Sequence, residues 1–214
     1  MRRSSYEGRA VSYGAIGGTH AADLLSFPPV GYRPSHDESR LGSGGERFQA
    51  ATNLLMTWGV QRGSAIEVHN LTPDAGGGYP GVTFDAHGKP IGSAGESHDH
   101  RFSPEGTPFI AAGMDAVLRA RIGPIVLDSP VRVVYLVDES RRQGFAIGTL
   151  EGHQLSGEEL FLVVWRDDDS VWLIVRSFSK PATVLTRWGW PVVRAIQRGY
   201  VRRFLFALRP ERGL

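Results

Sequence analysis

From residue 115 onward, apolar and polar residues alternate with a period of two, the pattern of strands whose side chains point to opposite faces in turn. Strands are predicted at residues 115–122, 131–137, 144–150, 159–165 and 171–178. The runs DESRRQG, LEGHQLSGEE and RDDDS between them are polar and turn-rich, so consecutive strands should pair antiparallel. Pro124 ends the first strand, and residues 125–127 start the next segment. Within 131–137, strict alternation puts Val131, Val133, Tyr135 and Val137 on one face, with Arg132, Val134, Leu136 and Asp138 on the other. Both sets are largely apolar, which predicts cover on both sides.

Elsewhere the period changes. Phe48, Ala51, Leu54, Leu55 and Trp58 recur at spacings of three and four, predicting a helix over 46–58 with one buried face. A short helix is expected at 19–25, capped by Thr19. The stretch FPPVGYRP must be extended or turning, because each proline restricts the residue before it. Residues 70–113 contain GGGYPG, HGKP and SPEGTP and read as an irregular insertion, either a functional loop, a mobile insertion or a pair of short strands around 82–84 and 109–111. Ser179 and Pro181 read as the N-cap and first-turn proline of a helix running to about residue 208. Its apolar stripe is Leu185, Trp188, Val192, Ile196, Tyr200, Phe204 and Leu208, and Pro191 should kink or divide it.

Together these elements predict a single α+β domain, residues 1–214, in which a long C-terminal helix lies across a curved antiparallel sheet. A hydrophobic content of 41% in 214 residues is enough for a substantial core. No apolar run approaches the roughly 18 residues needed to span a bilayer, and no secretory signal is evident, so a cytoplasmic location is expected. The absence of cysteine excludes disulfides, thiolate nucleophiles and Cys-ligated metals. Net charge is only +2, but its distribution is uneven. Residues 180–214 hold Lys180, Arg187, Arg194, Arg198, Arg202, Arg203, Arg209 and Arg212 against a single acid, Glu211.

The run RVVYLVDESRRQGFAIGTLEGHQLSGEELFLV, with FSKPA and QRGYVRRFL after it and PPVGY, LGSGGERF and Trp58 before it, resembles the bacterial and plant family called domain of unknown function 1990. The sequence departs from that pattern at Val131, Ser140 and Glu151, where Cys, Pro and Pro are expected. The resemblance implies a helix-grip fold similar to the START and Bet v 1 superfamily, in which helix and sheet often enclose a ligand cavity. It implies no particular activity.

Four groups of residues carry candidate chemistry. Tyr135, Phe145, Ile147, Phe161, Val163, Trp172, Ile174, Trp188, Val192 and Ile196 could line a cavity for a hydrophobic or amphipathic small molecule, or simply fill a core. His153, Glu158 and Glu159 share a turn between strands, and a carboxylate beside an imidazole can move protons. A cyclase- or hydratase-like enzyme would use His153 or Tyr135 with a carboxylate such as Glu159; a solvated turn is the plainer reading. His98 and His100, with Asp99 between and His87 nearby, could contribute two metal ligands, but nothing fixes a third. Arg187, Arg194, Arg198 and Arg202 could meet an anionic membrane or RNA, or just keep the outer helix face wet, and no DNA partner is expected. The glycine runs lack Walker and GxGxxG spacing, and GTLEG is not GxSxG, so kinases, dehydrogenases and serine hydrolases are excluded and no cofactor is expected.

Overall fold

The computed structural model describes residues 9–72, 82–84, 90–93, 102–183, 186 and 188–209. The alternating segments form β1 (Arg33–Ser43), β2 (Ile66–Thr72), β5 (Asp115–Ile122), β6 (Ile125–Glu139), β7 (Arg142–Thr149), β8 (Leu155–Trp165) and β9 (Ser170–Pro181), while β3 (Val82–Phe84) and β4 (Pro90–Ser93) pair with each other. The seven long strands make one curved antiparallel sheet in the order β1-β9-β8-β7-β6-β5-β2. Helices α1 (Gly45–Leu55), α2 (Gly59–Gly63) and α3 (Trp190–Ala207) complete an α+β helix-grip arrangement. Among the described residues no helix is long and apolar enough to cross a membrane.

The helices cover one face of the sheet, its inner face. There Phe145, Phe161, Val163, Val171, Leu173 and Val175 pack against Phe48 and Leu55 of α1, Trp58, and Phe204 and Leu208 of α3. Trp58 meets Phe145, and Phe161 meets Phe204, edge-on at centroid distances of 5.3 Å. The outer face is covered by the N-terminal segment, whose Val11 and Ile16 pack on Val134, Tyr135, Val137, Ala146, Leu160 and Leu162.

Four expectations are corrected. Strict alternation in β6 fails at a β-bulge, where Val133 pairs with Ile147 but Tyr135 with Ala146. The extra residue reverses the phase, so Val133 faces the helices and Tyr135 and Val137 face outward. Thr19 begins no helix; it is fully buried within a single 3-10 turn, Gly18–His20, because its side chain bonds to the sheet instead. Residues 109–111 are not a strand, and β3 takes β4 as its partner. The long helix does not begin at Pro181, which is the last residue of β9 and pairs with Leu155. Pro181 lies beyond the final β1 pairing, Arg33 with Ser179, so no β1 carbonyl is opposed to its missing N–H.

Among the described residues the firmest fastening of α3 is at its C-terminal end. The Arg47 guanidinium donates to the Leu208 carbonyl, and Arg209 donates to Ser39 Oγ at 2.8 Å. Phe204 and Leu208 are buried, whereas Val192 in the first turn is 64% exposed. Pro191 therefore sits in the first turn, where its missing N–H costs nothing, and it starts the helix rather than kinking it. Pro191→Ala is expected to change stability by less than about 1 kcal/mol in urea unfolding. A gain near 3 kcal/mol would show a mid-helix proline instead.

Candidate functional site

A cavity of about 520 Å³ lies between α3 and the sheet. Its position follows from a change in residue type along three neighbouring strands. Inner positions of β9 run Val171, Leu173, Val175, then Ser177 and Ser179, and β8 runs Val163, Phe161, then Glu159. On β1 the same direction gives Leu41, Ser39, Asp37 and Ser35. The register aligns these changes, since Ser177 pairs with both Ser35 and Glu159. One end of the inner face is thus apolar and packed solid under Phe204 and Leu208. The polar end does not close against a helix, and the space remains. Ile66, Leu118 and Ala120 give it an apolar wall across the sheet, and Ile196, Tyr200 and Phe204 form its roof.

Glu159 lies on the wall of this cavity. Glu159 is half-buried, and burial of its carboxyl, with the nearby Asp37 charge adding to it, pushes its pKa up to about 7. No hydrogen bond or ion pair to Glu159 occurs among the described residues. His153 also lines the cavity, and burial lowers its pKa to about 4, so the ring is neutral at pH 7. Its Nδ1 accepts the Leu155 N–H at 2.9 Å, which leaves the proton on Nε2 as a donor. Ser35 donates to Asp37 at 2.6 Å, and Gln197 of α3 reaches down to Ser179 at 3.3 Å.

The neighbouring Glu158 is in the opposite condition. Successive strand residues leave opposite faces, so Glu158 points outward beneath the N-terminal segment. One carboxylate oxygen accepts the Tyr13 hydroxyl at 2.7 Å and the Gly17 N–H at 2.8 Å; the other accepts the Thr19 N–H at 2.9 Å and the Thr19 hydroxyl at 2.5 Å. Gly17 adopts a left-handed conformation, φ 82°, that aims its N–H at the carboxylate. Because Thr19 spends its hydroxyl proton on Glu158, the Tyr135 hydroxyl donates to Thr19 at 2.7 Å. Burial still raises the Glu158 pKa, with these four donors pulling against it. The assembly is a latch holding residues 13–19 on the sheet.

The predicted site residues divide accordingly. His153 and Glu159 are brought together on the cavity wall, and Tyr135 and Glu158 lie across the sheet from them. Tyr135 is therefore corrected from cavity residue to latch residue, as the β6 bulge requires. Phe145, Ile147, Phe161 and Val163 fill the solid core rather than lining the cavity, because the most apolar inner positions are the ones that pack best. Trp172 and Ile174 take the outer phase of β9, and the Trp172 indole bonds to Ser170 at 2.7 Å. Trp188 is 84% exposed, and it and Val192 lie at the free end of α3, outside the cavity. Ile196 does line it, as do Arg194, Arg198 and Arg202, the last two exposed at its rim. Arg187, His87, His98, Asp99 and His100 lie outside the described residues, among which no metal-binding cluster occurs. Periodicity overlooked Asp37 and Ser177; the readable signal was serine and acid replacing valine and leucine in the inner phase of adjacent strands.

The family model described as domain of unknown function (DUF1990) matches residues 12–92 and 97–207. The chain belongs to this family. DUF1990 membership is accompanied by similarity to a UPF0548 protein of Deinococcus radiodurans, 44% identical over 73 residues, covering 34% of this chain and 37% of that protein. A UPF0548 protein of Arabidopsis thaliana is 42% identical over 80 residues, covering 34% and 38%. The aligned stretches thus span little more than a third of these relatives. A further relative occurs in Dictyostelium discoideum, so membership does not fix a bacterial source. Among solved structures, TTHA0849 from Thermus thermophilus is similar at TM-score 0.48 and 10% identity, covering 82% of this chain and 93% of its own. A truncated norcoclaurine synthase from Thalictrum flavum is similar at TM-score 0.44 and 11% identity, covering 85% and 96%.

Glu158 and Glu159 should respond oppositely to loss of the carboxylate. Glu158→Ala breaks the latch and is expected to cost on the order of 3 kcal/mol, with faster hydrogen exchange confined to the N-terminal segment. Unchanged exchange there would remove the latch. Glu159, with its raised pKa, contributes stability that is full below about pH 4.5 and lost as pH rises through about 7. Glu159→Gln should therefore gain on the wild type by roughly 2–3 kcal/mol between pH 4.5 and 7.5 in urea unfolding. His153 acts in the other direction, since its depressed pKa makes stability rise with pH between about 4 and 6.5. A wild-type-to-Gln difference that does not vary with pH would contradict the raised pKa of Glu159.

Proposed function

We propose that the chain binds an amphipathic small molecule in the cavity between α3 and the sheet. The observation that carries this reading is Glu159, a half-buried carboxyl with a raised pKa and no protein partner among the described residues, on the wall of a 520 Å³ space. Leaving such a group unsatisfied costs free energy in the empty protein, and a bound ligand can remove that cost. The volume falls in the range of roughly 300–1,000 Å³ usual for small-molecule sites. An apolar ligand body would lie against Ile66, Leu118 and Phe204, with its polar group at Glu159, Asp37 and His153. The basic row Arg194, Arg198 and Arg202 belongs to this cavity as much as to any external anionic surface.

A second reading has one supporting observation. A carboxyl with its pKa raised to about 7 in the same cavity as a neutral imidazole donor suits general acid–base catalysis, in a cyclase- or hydratase-like reaction. Exchange of the acidic C–H of a carbonyl probe with deuterated water, lost in Glu159→Gln, would separate turnover from storage; no exchange in the wild type counts against turnover.

The binding reading is tested by filling the space. Ala120→Trp places an indole in the cavity and is expected to weaken binding of a naphthalene-sulfonate fluorescent probe at least tenfold, with circular dichroism unchanged. Equal affinity in the two proteins would show that the probe binds elsewhere and that the cavity does not take ligand.

A further inference from the structure

We propose that the ligand presents a primary ammonium group to the carboxyls of Glu159 and Asp37, with an alkyl or aryl body lying beneath α3. The proposal rests on the binding reading above and adds the chemical class.

The polar wall is short of donors. Ser35 donates to Asp37 and Gln197 to Ser179, which leaves the single hydroxyl protons of Ser177 and Ser179 on this wall. His153 retains one donor, Nε2–H, after Nδ1 is taken by Leu155. Against this stand two carboxyls, each with about four acceptor sites. None of the ion pairs among the described residues reaches either of them. A group with three N–H donors and a positive charge meets this deficit better than a hydroxyl, which brings one donor and no charge. An anionic head would face two carboxyls at the wall; of the arginines lining the cavity, Arg33, Arg198 and Arg202 are exposed and hydrated, and the half-buried Arg194 on α3 makes no ion pair with either carboxyl among the described residues.

Protons balance in a definite way. In the empty protein Glu159 holds a proton for part of the time at neutral pH; the incoming ammonium keeps its own proton, and Glu159 releases its proton to solvent. The charged or titratable groups around the site are Asp37 and Arg33 on β1, His153 before β8, and Arg194, Arg198, Tyr200 and Arg202 on α3. His153 stays neutral above about pH 5, so it does not compete for the released proton's role. Affinity for the ammonium should rise about tenfold from pH 5.5 to 7.5 and then level off.

Isothermal titration with octylammonium, octanol and octanoate tests this, using wild type, Glu159→Gln, Asp37→Asn and Ala120→Trp, each checked for folding by circular dichroism. Octylammonium should bind at least tenfold more tightly than the other two probes, with proton release visible as a heat that differs between phosphate and Tris buffers. Glu159→Gln should reduce octylammonium to the level of octanol without weakening octanol itself, Asp37→Asn should act partway, and Ala120→Trp should abolish binding of all three. Tighter binding of octanoate, or a preference for ammonium that survives both carboxyl substitutions, overturns the proposal and leaves the binding reading standing. If no probe binds the wild type, the binding reading fails and this proposal with it.

Discussion

Two adjacent glutamates on one strand must leave opposite faces of the sheet, and the organisation of this molecule depends on that constraint. Outward, Glu158 collects four donors from Tyr13, Gly17 and Thr19 and so fixes the N-terminal segment over the outer face. Inward, Glu159 enters a space in which no described residue answers it. The same chemical group, moved by one position, is structural on one side and available on the other. Glu158 is fully buried and Glu159 half-buried on the cavity wall, and the supply of donors separates their roles.

The inner face extends this division of labour. Its apolar end carries the close-packed rings of Trp58, Phe145, Phe161 and Phe204, and the helix end that Arg47 and Arg209 secure. Its polar end carries the cavity beneath the part of α3 that is less firmly held. Most of the apolar burial that stabilises the fold therefore lies away from the polar groups that would meet a ligand. The polar end is where local sequence preference and close packing disagree, which is where functional sites are expected to lie.

Much of the architecture was legible in the chain. Period-two alternation located β5 through β9, and three-and-four spacing located α1 and the buried half of α3. The failures have physical causes. Ser179-Lys180-Pro181 has the composition of a helix start, but strand pairing with β8 outweighs a local capping preference. Thr19 similarly has the composition of a cap, but a buried carboxylate across the sheet claims both its N–H and its hydroxyl. His153 and Glu159 could be singled out because few residue types hold or move protons. The aromatic lining could not, because sequence alone does not distinguish apolar residues that fill a space from those that surround one.

The bulge between Val133 and Tyr135 has a consequence for how this chain can be compared with others and how it can vary. It is a parity switch: upstream of it odd-numbered β6 residues face the helices, and downstream the even-numbered Leu136 does. Loss of the single residue Val134 would leave Val133 opposite Ile147 and Tyr135 opposite Ala146 in regular alternation, so Tyr135 and Val137 would still face outward and Leu136 inward. A deletion of one residue is therefore absorbed at the bulge, whereas the same deletion elsewhere in β6 would exchange faces for the residues beyond it. An ungapped alignment with a relative lacking the bulge would equate residues on opposite sides of the sheet, so correspondence here has to be established by facing direction as well as by position.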